Sequence, residues 1–148
     1  MQHEGMVHAL SEIRRVLVND GILIDLRPIT EPYSVEVISA RETRPIGNLL
    51  DLPTGIADDE AADSSIARAA ENGWFIQEQA EFFPFYYSWD SPREMEEFIA
   101  EEWEDFIGLN EETKQAARSA WALADADARV RVKVKMLIAK WKVLKGYG

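Results

Sequence analysis

The sequence predicts a mixed fold of helices and a sheet, α/β or α+β. Three observations carry this. Met6, Leu10, Ile13 and Leu17 recur at helical spacing directly before the short apolar run Ile22-Leu23-Ile24-Asp25-Leu26. The aromatic stretch Trp74–Tyr87 (WFIQEQAEFFPFYY) reads as a strand. Near the end, Val130, Val132 and Val134 alternate with Arg129, Arg131, Lys133 and Lys135, the period of two that a half-buried strand requires.

Each element follows in order. Residues 5–18 form a helix with one apolar stripe, and Asn19-Asp20-Gly21 ends it, with Gly21 suited to the left-handed residue that closes a helix. The continuous apolar character of Ile22–Leu26 predicts a strand covered on both faces, as in parallel sheets, and Arg27-Pro28 stops it. Val35–Ile38 and Thr43–Leu49 are weaker strands that can form a hairpin. Asp51–Gly55 reads as a loop, and Asp58–Asn72 as a helix of low hydrophobicity anchored by Ile66. Pro84 places the aromatic strand at an edge, a bulge or a bend. Ser91-Pro92-Arg93-Glu94 is a capping box with proline at the first helical position, and Met95, Phe98, Ile99, Trp103 and Phe106 form the apolar face that follows. Asn110 caps a further helix, 111–124, whose face is Ala117, Ala120, Trp121 and Ala124. The alternation of the last strand slips near Ala139, where a bulge or the strand's end is expected.

With 148 residues, 47% of them apolar, the chain is long enough for one domain, residues 1–148, with one core. No apolar run approaches the roughly 20 residues of a membrane span, and no signal-peptide pattern opens the chain, so a cytoplasmic location without membrane contact is the default. Cysteine is absent, which excludes disulfides, thiol nucleophiles and thiolate metal sites. The net charge of −11 argues against nucleic acid, whose phosphates need a basic surface. That charge is uneven. Residues 128–148 hold Arg129, Arg131, Lys133, Lys135, Lys140, Lys142 and Lys145 with no acid, which predicts that this strand lies against acidic segments of its own domain.

The opening stretch resembles the end of the catalytic domain of class I S-adenosylmethionine-dependent methyltransferases, where a segment AL-x-E-x-x-RVL-x-PGG leads into the fifth strand. Ala9, Leu10, Glu12, Arg15, Val16 and Leu17 match it, with Asn19-Asp20-Gly21 in place of Pro-Gly-Gly. The resemblance implies an incomplete Rossmann-like mixed sheet. Its last strand, Arg129–Lys140, would be antiparallel, inserted between Ile22–Leu26 and Trp74–Tyr87. It also implies that the first four strands, and the glycine-rich turn that meets the cofactor, are not in these residues. Gly146-Tyr147-Gly148 is the only Gly-x-Gly, and it follows no strand-to-helix turn. No cofactor is therefore expected for this chain alone, and S-adenosylmethionine only if the missing half is supplied.

Without a fourth strand, Ile22, Leu23, Ile24 and Leu26 would form an open apolar edge. A second copy in a homodimer, another partner, or the 35–49 hairpin folding back is expected to cover it. Ligands of open α/β sheets gather beyond the carboxyl ends of parallel strands, so Arg27, Tyr86, Tyr87, Trp89 and Arg129 are candidates to bind an acidic or flat small molecule. An aromatic run is, however, more often core than pocket. No catalytic residue is assigned. Asp25 is the best-placed carboxylate for acid–base work, with Asp90 second, and pairing of Asp25 with Arg27 or capping of a neighbouring helix is the competing reading. The spacing of His3 and His8 keeps them off a common helical face, so no metal site is expected. Glu94, Glu96, Glu97, Glu101, Glu102, Glu104 and Asp105 read as a solvated helix face. No Gly-x-Ser-x-Gly or phosphate-binding loop occurs.

Overall fold

The computed structural model describes residues 3–145, so Gly146-Tyr147-Gly148 lies outside the described residues. The elements are α1 (His3–Val16), β1 (Ile22–Pro28), β2 (Ser34–Ile38), β3 (Thr43–Asn48), β4 (Leu50–Asp51), α2 (Pro53–Glu71), β5 (Phe75–Trp89), α3 (Pro92–Glu102), β6 (Ile107–Gly108), α4 (Glu111–Leu123) and β7 (Arg129–Val143). The fold is mixed α/β, and its last strand is antiparallel to both β1 and β2. Two compact units emerge. The first comprises Met1–Thr30, Ala57–Phe83 and Met136–Gly148, and the second Glu31–Ile56 and Pro84–Lys135.

In the first unit β7 is the middle strand. It pairs with β1 from Ile22↔Lys142 to Pro28↔Met136, and with β5. The Leu144 N–H donates to the Trp74 carbonyl, and Lys140 reaches Glu78, so β5 also runs against β7. β1 and β5 therefore share one direction. Leu10, Ile13 and Leu17 from the first helical segment, and Ile66 with Ala69 from α2, pack on Phe75, Ala139, Trp141 and Val143. Full burial of a large apolar side chain such as Phe75 or Val143 contributes about 1.5–3 kcal/mol, and the partly buried ones less.

Three expectations change here. The residue with positive φ after α1 is Asp20, at 66°, not Gly21. Gly21 is required for another reason: a Cβ there would stand 2.9 Å from the Val18 carbonyl oxygen. Second, β1 is not covered on both faces. Its residues alternate, with Leu23, Asp25 and Arg27 half-buried and Ile22, Ile24 and Leu26 exposed, because its neighbour β7 is antiparallel and helices pack on one face. Third, α2 buries Ser65 and Ala69, while Ile66 is only partly buried.

In the second unit β2 and β3 form the expected hairpin, with a register shift at Val35/Glu36. β2 pairs with β7 from Ser34↔Lys133 to Ile38↔Arg129, and Val35, Val37, Val130 and Val132 are buried. That pairing removes one expectation, since the hairpin's partner is Arg129–Lys133 of β7 rather than β1. The expected loop 51–55 is partly helix. Leu50–Asp51 pair with Ile107–Gly108, and Pro53 opens α2, a position where its missing N–H costs nothing. Gly55 permits a close approach, because a Cβ there would lie 2.8 Å from the Phe106 carbonyl oxygen.

Helices α3 and α4 begin where their caps predict. Ser91 Oγ accepts from the Glu94 N–H at 3.3 Å and Asn110 Oδ1 from the Thr113 N–H at 2.8 Å. Met95, Ile99, Ala117 and Ala120 are buried, whereas Phe106 lies beyond α3 and is exposed. Trp121 stays partly exposed, its indole N–H donating to the Ala128 carbonyl. Along β7 no break occurs at Ala139. The strand continues to Val143 while its buried residues change from even (Val130, Val132, Val134) to odd (Ala139, Trp141, Val143). Three consecutive apolar residues, Met136-Leu137-Ile138, carry that change of parity.

Candidate functional site

Among the described residues, the first unit presents β1 as an edge strand, paired with β7 on one side only. The Val143 N–H donates to the Gly21 carbonyl. An antiparallel ladder repeats every two residues, so Leu23, Asp25 and Arg27 turn their N–H and C=O toward β7. Ile22, Ile24 and Leu26 turn theirs outward. Pro28 has the same outward parity and no N–H to leave unpaired. Opposite residues share a face, so Ile22, Ile24 and Leu26 stand beside Lys142, Lys140 and Ile138 on the exposed side of the sheet. At the edge, a cleft of about 300 Å³ opens between β1 and the helices, lined by residues including Met6, Leu10, Leu23, Leu26, Arg27 and Ile66.

Arg27 lies at that cleft with its charge already satisfied. Its Nε is 3.1 Å from both oxygens of Asp25, and Nη1 donates to Asp63 on α2. Burial by itself would lower the Arg27 pKa, but the hydrogen bond to Asp63 and the charge of Asp25 outweigh it and hold the guanidinium above its ordinary value. Asp25 is thus paired with Arg27, the competing reading of that carboxylate, and shows no bare acid–base geometry. Asp63 is a partner that the sequence reading missed. Only the docking of α2 against β1 brings the two together.

The remaining candidates belong to the second unit. Tyr87 and Trp89 stack with their ring centroids 6.3 Å apart, and both pack on Phe98, while Trp103 meets Tyr87 edge-on at 4.9 Å. These rings form an aromatic cluster with the face of α3. Tyr86 points to the other side of β5, where the Arg131 guanidinium lies 4.2 Å from its ring centroid. Arg131 also donates to Glu36 at 2.9 Å. Arg129, the cation named from sequence, pairs with Asp90 at 3.2 Å instead. So the structure gathers Tyr87 with Trp89, and puts Arg131 rather than Arg129 on Tyr86. The alternation of β7 gave both arginines one face, but not the register with β5 that chooses between them. A second cleft, of about 320 Å³, lies between Glu96, Ile99, Glu104, Leu109 and Lys114. Glu96 there is held by two Arg118 nitrogens, at 2.9 and 2.7 Å. That hydrogen bonding and charge raise the Arg118 pKa.

The basic strand meets acids of its own unit, as the charge pattern predicted. Arg129 pairs with Asp90, Arg131 with Glu36 and Lys135 with Glu31 in the second unit, and Lys140 with Glu78 and Lys142 with Asp20 in the first. Among the described residues no helix is long and apolar enough to cross a membrane, and no group of three or more His, Asp or Glu is placed to hold a metal. The chain matches no family model, no curated protein and no solved structure. What it can do chemically must therefore be read from the β1 edge, its cleft and the aromatic cluster.

Proposed function

We propose that this chain is a methyltransferase-like domain, the acceptor-side half of a class I S-adenosylmethionine-dependent sheet. On this reading it has no cofactor site of its own, is not catalytic alone, and works through association at the β1 edge. One observation carries the reading: in the first unit the last strand stands between β1 and β5, antiparallel to β1, with β1 and β5 sharing a direction. That order, together with the Ala9–Leu17 segment leading into β1, is the closing pattern of the class the sequence resembles. The glycine-rich turn that would let backbone approach the cofactor has no counterpart in residues 3–145.

Titration calorimetry of the purified chain with S-adenosylmethionine tests this. No heat of binding is expected, and saturable binding by the chain alone would overturn the reading. The cleft along β1 favours a second role for the same half, as the acceptor-binding part of a split enzyme, because a parallel strand added at that edge would close the cleft. Co-expression with a polypeptide carrying the four missing strands separates the two: methyl transfer regained only in the pair favours the split enzyme. A small-molecule site on Tyr86 and Arg131 is a third use of the fold. Quenching of tryptophan fluorescence by flat acidic compounds, lost in Arg131→Ala, would support it.

A further inference from the structure

We infer that the partner at the β1 edge is a second copy of this chain, paired antiparallel about a two-fold axis through Ile24. This rests on the association proposed above and specifies its geometry. The outward N–H and C=O groups belong to Ile22, Ile24 and Leu26, so a strand added there must form its hydrogen-bonded pairs with those three. Centring the axis on Ile24 sets Ile24 against its own copy and Ile22 against Leu26. Every outward group of Ile22, Ile24 and Leu26 is then used, and each of their side chains meets an apolar one.

The neighbouring registers are worse for physical reasons. Moving the centre to Asp25 sets two carboxylates against each other and puts Pro28, which has no N–H, opposite Ile22. Moving it to Leu23 sets Leu26 against Asp20, whose φ of 66° takes it out of the strand. In the Ile24-centred register Leu23 faces Asp25 of the other copy, and the ion pair of Asp25 with Arg27 stays intact. The exposed side chains Ile22, Ile24, Leu26 and Ile138 of the two copies become one continuous apolar surface. The self-complementary order Ile-x-Ile-x-Leu around one central residue is what selects a copy of the chain over an unrelated strand.

The chain has no cysteine, so single introduced cysteines report the register directly. Residues facing each other in a hydrogen-bonded pair have Cα atoms about 5.5 Å apart, inside the disulfide range of roughly 4.4–6.8 Å. Under mild oxidation Ile24→Cys is expected to give a covalent dimer. Leu26→Cys alone is not, because its copy lies four residues along, about 13 Å away. A mixture of Leu26→Cys and Ile22→Cys is expected to cross-link. Sedimentation equilibrium of the unmodified chain is run beside these, and Ile24→Lys, which sets two ammonium groups together at the axis, should raise the dimer Kd by on the order of tenfold or more. A dimer that cross-links through Leu26→Cys but not Ile24→Cys would overturn the register and leave the association standing. A chain that stays monomeric up to millimolar concentration would overturn both, without touching the result of the cofactor titration.

Discussion

Arg27 and Asp25, two residues apart on β1, form one ion pair on one face of the strand, with Arg27 Nε 3.1 Å from both carboxylate oxygens. Asp63 binds the same guanidinium from α2, so strand and helix are joined through a single cation. Removing that cation leaves Asp25, whose side chain is only 16% exposed, without its partner. Arg27→Ala is expected to cost about 1–2 kcal/mol in urea unfolding, and Asp25→Asn added to it should recover part of the loss. The Arg27 pKa is raised on folding, so its contribution is complete below the unfolded value and fades only as pH rises through the folded one, both in the strongly alkaline range. The loss caused by Arg27→Ala should accordingly be the same at neutral and mildly alkaline pH. A loss that vanishes across that window would count against this pairing.

The pair itself was legible in sequence, since period-two spacing on a strand puts Asp25 and Arg27 on one face. Asp63 was not, because nothing local fixes how α2 meets β1. The same division runs through the molecule. Caps at Ser91 and Asn110, the 34–48 hairpin and the alternation of β7 depend on neighbours in the chain and were readable. The exposure of Ile22, Ile24 and Leu26 was not, for an apolar run looks the same whether one face or both are covered. Likewise the choice of Arg131 over Arg129 at Tyr86 depends on the register between β5 and β7, which periodicity leaves open.

The α3 cap is open to a separate test. Ser91 Oγ accepts from the Glu94 N–H, while the Glu94 carboxylate accepts from the Asp90 N–H at 3.1 Å, one residue before the usual partner of a capping box. Ser91→Ala should therefore lower stability by about 1 kcal/mol, or roughly 2–4 °C in Tm for a chain of this length. Ser91→Asp should be nearly neutral, since its carboxylate can accept the same bond. Equal losses from both substitutions would mean that the cap contributes through something other than this acceptor.

Two glycines should respond differently to asparagine. At Gly55 a Cβ would lie 2.8 Å from the Phe106 backbone oxygen, an atom that cannot swing aside, so Gly55→Ala should cost about 1–3 kcal/mol through displacement of α2 from the Phe106–Ile107 segment. Gly73 has φ of 74° and open space around its Cβ position, so the cost of Gly73→Ala is backbone strain alone, about 1–2 kcal/mol. Gly73→Asn should recover much of that, because asparagine tolerates the left-handed region, whereas no side chain relieves Gly55. Thermal unfolding of the four variants, with Gly55→Asn as the fourth, decides it: recovery by asparagine at position 55 would contradict the steric account.

The last prediction concerns the basic strand. A stripe of seven lysines and arginines invites nucleic acid, yet Arg129, Arg131, Lys135, Lys140 and Lys142 each have a carboxylate of their own unit within 4 Å. A phosphate would have to displace those carboxylates and approach a chain of net charge −11. Counterion release, the main source of affinity for duplex DNA, would then be offset by the acids left unpaired. Anisotropy of a labelled duplex should stay flat as the protein is raised to high micromolar concentration at low salt. The charge pairing also sets the sign of a control. Substituting Glu36 and Glu78 by glutamine frees Arg131 and Lys140, so any weak binding should appear first in that variant and fall with added salt. Binding by the unaltered chain that ignores salt would show that another surface is responsible, and tight salt-sensitive binding would show that the pairing of this strand with its own acids is not the resting arrangement.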